Sequence, residues 1–140
     1  MKCTYKILPQ FSLILEQFEG AISIDDSIEM TNRLIIDSQY SSLYNILVDL
    51  REFIPVQKAQ HHIQDIDIFL NFFNGNHTLP NSTMAFIISE PIHAIITELF
   101  KEKVSESSLH IATFTTVQAA ASFLQLTEYT SILLSELEEL

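Results

Sequence analysis

Asn45-Ile-Leu-Val-Asp-Leu50 is an unbroken apolar run closed by an acid. A strand covered on both faces of a parallel sheet reads this way, whereas a half-exposed strand alternates. Met84-Ala-Phe-Ile-Ile88 repeats the pattern, and Leu109-His-Ile-Ala-Thr-Phe114 is a weaker third instance at a matching interval. Helical periodicity fills the spaces between and after them, over Val56 to Asn74, Pro91 to about Val104, and Val117 to Leu126. Strands alternating with helices imply a parallel or mixed sheet with right-handed crossovers. Upstream, Thr4 to Leu8 and Leu13 to Phe18 read as two short strands broken by Pro9, Gln10 and Phe11, hence an antiparallel hairpin. Ser23 then caps a helix from Ile24 to about Ser38, with Asp25 and Asp26 at its positive end. Ser89 and Thr115 are the expected caps of the two later helices, the second with Gln118 as its capping-box partner. A last helix runs from about Thr130 to Leu140. The expected fold is α/β: a mixed sheet of four to five strands with an N-terminal antiparallel hairpin, covered by helices, plus a C-terminal helix.

Composition narrows the function. The 140 residues make one domain's worth of chain, 47% of it hydrophobic and 18% charged, which is a globular and not a disordered composition. A net charge of −11 opposes binding to a phosphate backbone, so nucleic acid is not an expected partner. No run approaches the ~20 apolar residues of a membrane span, and the N-terminus lacks the apolar core of a signal peptide, so a cytoplasmic location is expected. The single cysteine, Cys3, offers neither a disulfide nor a metal pair and reads as a buried strand residue. No cofactor motif, metal quartet or nucleophile elbow is present, and the protein reads as non-enzymatic.

The strand Ile46-Leu-Val-Asp-Leu-Arg51, the turn Ala85-Phe-Ile-Ile-Ser-Glu-Pro91 leading into a helix that ends Glu98-Leu-Phe100, and the closing Phe114-Thr-Thr-Val-Gln-Ala-Ala121 resemble the SpoIIAA-like proteins of the STAS/SEC14 superfamily. The resemblance covers about Thr4 to Leu126. It implies residues 1–127 as the STAS/SEC14-like domain, with 128–140 as an amphipathic helix appended to it. Relatives in that superfamily include anti-sigma factor antagonists, cytoplasmic domains of sulfate transporters and SEC14-type lipid carriers. Anti-sigma antagonists are phosphorylated on a hydroxyl residue just after the strand that here ends at Leu50. The segment Arg51 to His62 contains no serine or threonine, so that switch is not expected here.

Ligands of open α/β sheets bind beyond the carboxyl ends of the strands. That edge gathers Asp49, Arg51 and Glu52 after one strand and Ser89 and Glu90 after the next, a possible ligand or partner edge. Asp49 and Arg51 are most simply a structural pair; hydrolysis built on Asp49, Arg51 and Glu52 is the weakest functional reading. His61 and Asp65 are spaced to share a helix face, but two ligands are too few for a metal site.

Projected at 100° per residue, Val56, Ala59, Ile63, Ile66, Leu70 and Phe73 form the expected core stripe of the second helix. Ile68, Phe69 and Phe72 fall outside it, and such patches mark interfaces. Tyr129, Ile132, Leu133 and Leu137 make a similar stripe in the tail. The leading expectation is therefore a protein-interaction or regulatory module that self-associates through both patches, most simply as a homodimer. The alternative is a carrier of a small apolar or lipid ligand, in a pocket lined by such residues as Phe53, Phe69, Phe86 and Phe100.

Overall fold

A computed structural model describes residues 2–55, 59–76 and 82–140, with only the backbone at 59–62 and 73–76. Strands β1 (Lys2–Leu8) and β2 (Leu13–Ile22) form the hairpin, turned by a 3-10 turn at Pro9–Phe11. Then follow α1 (Ile24–Ile35), β3 (Asn45–Asp49), β4 (Phe53–Pro55), α2 (Ala59–Asn76), β5 (Thr83–Ile87), α3 (Pro91–Lys103), β6 (His110–Phe114), α4 (Val117–Phe123) and α5 (Thr130–Glu138). The sheet runs β1-β2-β3-β5-β6, antiparallel between β1 and β2 and parallel elsewhere. The α/β class, the hairpin and the order of the main elements match the sequence-based expectation.

The sixth strand was not expected. β2 pairs first with β3 and then, from Gly20 onward, with β4, which continues β3's line after a turn at Leu50–Glu52. The changeover sits at Gly20, where φ is +83° and the amide donates to the Glu52 carbonyl at 2.8 Å. A side chain there would meet the left-handed penalty that glycine avoids. Three residues ending in a proline carry too little pattern to announce a strand.

Alternation along the strands builds two cores. Leu13, Leu15, Leu47, Ala85 and Ile87 face α4 and α5, packing with Val117, Ala120, Ala121, Leu133 and Leu137. Ile14, Ile46, Val48 and Phe86 face the other way, toward Leu34 of α1 and Phe100 of α3. Buried on both faces, β3 needs apolar residues at successive positions, which is why 45–50 reads as a continuous run.

Helix starts follow local chemistry, with two shifts from expectation. Ser23 and Asp26 form a reciprocal capping box, each side chain accepting from the other's backbone amide. At α3 the cap is Glu90, one residue beyond Ser89; the amides of both residues donate to Nδ1 of His93, whose ring occupies the place of a capping side chain. At α4 it is Thr116 and not Thr115, its hydroxyl accepting from the Ala119 amide. Each shift lets the chain take one more extended residue before turning.

Candidate functional site

Three helices do not quite close over their face of the sheet. β2 presents Ile14, Glu16 and Phe18 to that face, β3 presents Ile46 and Val48, and β5 presents Met84 and Phe86. Over them α1 places Thr31 and Leu34, α2 places Asp65, Ile66 and Phe69, and α3 places Ile96, Thr97 and Phe100. A mostly apolar cavity of about 180 Å³ remains between these layers. Phe53, Phe69, Phe86 and Phe100, the residues nominated from sequence for a pocket, all line it. Their rings meet edge to face: Phe86 and Phe69 each contact Phe100, with centroids 6.3 and 6.1 Å apart, and Phe53 contacts Phe18 at 6.1 Å.

The Phe53 wall is held by His93, which is fully buried. Because Nδ1 accepts two backbone amides, the ring hydrogen lies on Nε2, which donates to the Phe53 carbonyl at 2.8 Å. The two rings also stack, with centroids 6.0 Å apart. One side chain thus caps α3 and anchors β4 beside the cavity.

Glu16 is the group that sequence reasoning missed. The residue is 9% exposed, lines the cavity, and makes no side-chain hydrogen bond or ion pair among the described residues. Burial pushes its carboxyl from the ordinary 4.5 up to about 7. The available signal was a lone charge inside Leu13-Ile-Leu-Glu-Gln-Phe18, at a position whose neighbours two residues away, Ile14 and Phe18, are apolar. On the adjacent strand Cys3 is half-buried with Sγ 3.4 Å from Met30 Sδ, and burial pushes its thiol up to about 12, so it is a packed residue and not a nucleophile.

Of the predicted strand-end edge, Asp49 lies on the opposite face of the sheet, beside Gln17. Arg51 clasps Asp49 with Nε to Oδ1 at 2.9 Å and Nη2 to Oδ2 at 2.8 Å, and its backbone amide adds a third bond. Gln17 donates to the same carboxylate and to the Leu137 carbonyl of α5, so the pair braces the tail. Burial alone drives the Asp49 carboxyl upward, but the Arg51 hydrogen bonds and charge, with the Gln17 amide, together hold it below the usual range. Ser89 joins the cluster by donating to the Arg51 carbonyl at 2.9 Å, while Glu52 and Glu90 point to solvent. Arg51→Met is expected to lower stability by about 1–2 kcal/mol at pH 7, less than for a fully buried pair because Arg51 is 36% exposed. A depressed carboxyl stabilises above its unfolded value and loses that contribution as pH falls. Urea titrations should therefore show the gap to wild type narrowing below about pH 4.

The two patches proposed as interfaces are divided by the structure. On α2, Ile68 is 48% exposed, but Phe69 turns into the cavity and Ile63, expected in the core, is 44% exposed. Phe69 packs edge to face on Phe100, which in turn meets Phe86, and Asp67 pairs with Lys103 of α3 at the surface. Phe72 is half-buried. In the tail, Leu133 and Leu137 are buried in the chain's own core, Tyr129 packs on Phe11 at 4.7 Å, and only Ile132 faces out. Lys6 pairs with Glu136, and the Lys2 ammonium donates to the Leu140 carbonyl, tying α5 to β1. Intramolecular packing wins because, among the described residues, α5 completes with α4 the cover of the second face of the sheet.

Val56, His77 and the side chains of Ala59, His61, His62 and Phe73 lie outside the described residues, and with them the His61–Asp65 pair. Among the described residues no cluster of three or more His, Cys, Asp or Glu can hold a metal, and no helix is long and apolar enough to cross a membrane. Comparison of the chain with protein-family models, with curated proteins and with solved structures finds no match.

Proposed function

We propose that the chain is a non-enzymatic binding domain of the SpoIIAA-like STAS/SEC14 kind, and that it carries a small apolar molecule between its sheet and helices. The cavity is the observation that carries this reading. Leaving about 180 Å³ unfilled beneath five phenylalanines forgoes packing that a domain without a ligand would be expected to keep. The volume also selects the size of the occupant. A cavity of ~150 Å³ lined by apolar side chains holds a benzene, whereas drug-sized ligands need roughly 300 Å³ or more. A two-chain lipid is too large for this space, and a single small molecule suits it.

The self-associating regulatory module is the second reading, and Ile68 and Ile132 are the exposed residues that favour it. Much of the apolar excess behind it, namely Phe69, Leu133 and Leu137, is engaged inside the fold. Native mass spectrometry of protein purified without denaturation tests the carrier reading. The expected spectrum shows an added mass that disappears on unfolding, or else an empty chain whose melting temperature rises in saturating toluene. An empty chain with an unmoved melting temperature refutes it.

A further inference from the structure

We infer that the cavity selects a small amine, with its ammonium group against Glu16 and its apolar body among the phenylalanine rings. The inference rests on the carrier reading and adds the chemical class of the occupant. Three observations lead to it. First, Glu16 is a buried residue, 9% exposed, that lines the cavity and has no partner among the described residues. A buried acid without a donor is a group whose partner comes from elsewhere, since burial of an unpaired polar atom is unfavourable. Second, the described wall carries hydroxyls, on Ser23, Ser27, Thr31, Tyr40 and Thr97, but no charged donor. Thr31 and Thr97 direct their hydroxyl hydrogens to the Ser27 and His93 carbonyls at 2.8 and 3.0 Å, which leaves their oxygens as acceptors. The other carboxylate on the wall is Asp65, and among the described residues no Lys, Arg or His lines it. Against the described wall a carboxylate ligand would meet two acids and no cation, whereas an ammonium offers three donors to these acceptors. Third, aromatic faces surround the space, and a cation close to such a face gains from the ring quadrupole. The cavity volume restricts the amine to roughly the size of a singly substituted benzene.

The test measures the affinities of four ligands of similar size for the full chain at pH 8 by calorimetry: phenethylamine, phenethyl alcohol, phenylacetate and toluene. The expected order places phenethylamine at least about ten-fold tighter than the alcohol, since hydrogen bonds to charged groups exceed neutral ones by about that factor. Phenylacetate is expected to bind most weakly. Glu16→Gln should remove the amine preference, bringing phenethylamine to within about ten-fold of toluene. An amine preference below about ten-fold in wild type, a preference for phenylacetate, or an undiminished amine preference in Glu16→Gln overturns the inference while the carrier reading stands. Failure of all four ligands, toluene included, overturns the carrier reading itself. The wild-type ranking decides the matter even if the variant does not fold.

Discussion

Leu133→Ala is expected to lower the stability of the chain by roughly 3–5 kcal/mol, as measured by urea denaturation. Leu133 is fully buried and packs in the core that also contains Leu13, Leu15, Leu47 and Ala85. Truncation removes the transfer free energy of the missing carbons and leaves a cavity that a parallel sheet cannot relax to fill. With typical domain stabilities of about 5–15 kcal/mol, this is a large share of the total, and the melting temperature should fall by roughly 10 °C. The comparison is Ile132→Ala one residue away, where 45% exposure predicts a change within about 0.5 kcal/mol. The contrast separates two roles for the tail. If α5 served chiefly as an interface, Leu133→Ala would abolish self-association in light scattering while leaving the urea midpoint in place. Packing predicts the reverse.

Glu16→Gln is expected to stabilise the ligand-free chain above neutral pH, an unusual direction for a substitution in a core. The folded carboxyl titrates at about 7 against an ordinary value of 4.5. Between those values the folded state binds more protons than the unfolded state, so wild-type stability falls as pH rises through that window. The full loss, about 3 kcal/mol, is reached above pH 7. The groups near Glu16 with shifted values do not produce the same signature. Cys3 and Tyr5 on β1 and Tyr40 after α1 are all shifted upward from already alkaline values. Asp65, across the cavity on α2, is the other acid on the wall. Asp49 contributes with the opposite sign, and only at more acid pH. Replacing Glu16 by its uncharged isostere should flatten the profile between pH 5 and 7 and raise the melting temperature at pH 8 by roughly 10 °C. At pH 4 the two proteins should melt together. A wild-type stability that rises from pH 5 to 7, with no gain in the variant, would show that the carboxyl is solvated or paired.

These two positions mark where sequence reading succeeds and where it stops. The tail's amphipathic stripe was legible at Leu133 and Leu137, but an amphipathic helix has the same pattern whether it covers its own sheet or another chain's. Only the packing of α5 beside α4 on the second face of the sheet, with Gln17 and Lys6 bonded to it, decides between them. On α2 the apolar residues occupy more than one face; projection puts Ile63 and Ile66 on the core stripe, and the structure buries Ile66 but exposes Ile63 and turns Phe69 toward Phe100. Periodicity reports which residues share a face, not which neighbour that face will meet. The caps at Glu90 and Thr116 slipped by one residue for a related reason, since His93 supplies the capping atoms at α3 from inside the helix.

The sequence by itself determined the class and order of the fold. The continuous apolar runs at 45–50 and 84–88 require strands covered on both faces, the broken alternation at 4–18 requires a hairpin, and Ser23 with Asp26 starts α1 through atoms three residues apart. All of these are local, so the chain needs no distant contact to express them. The tertiary structure alone decided the cavity and its chemistry. Glu16 on β2, Phe53 on β4, Phe69 on α2 and Phe100 on α3 lie far apart in the chain, and although the phenylalanines can be named as pocket candidates from sequence, nothing local brings them to Glu16. Their meeting depends on how three helices cross one sheet, and a carboxyl becomes a site only when that packing removes it from water and leaves it unpaired.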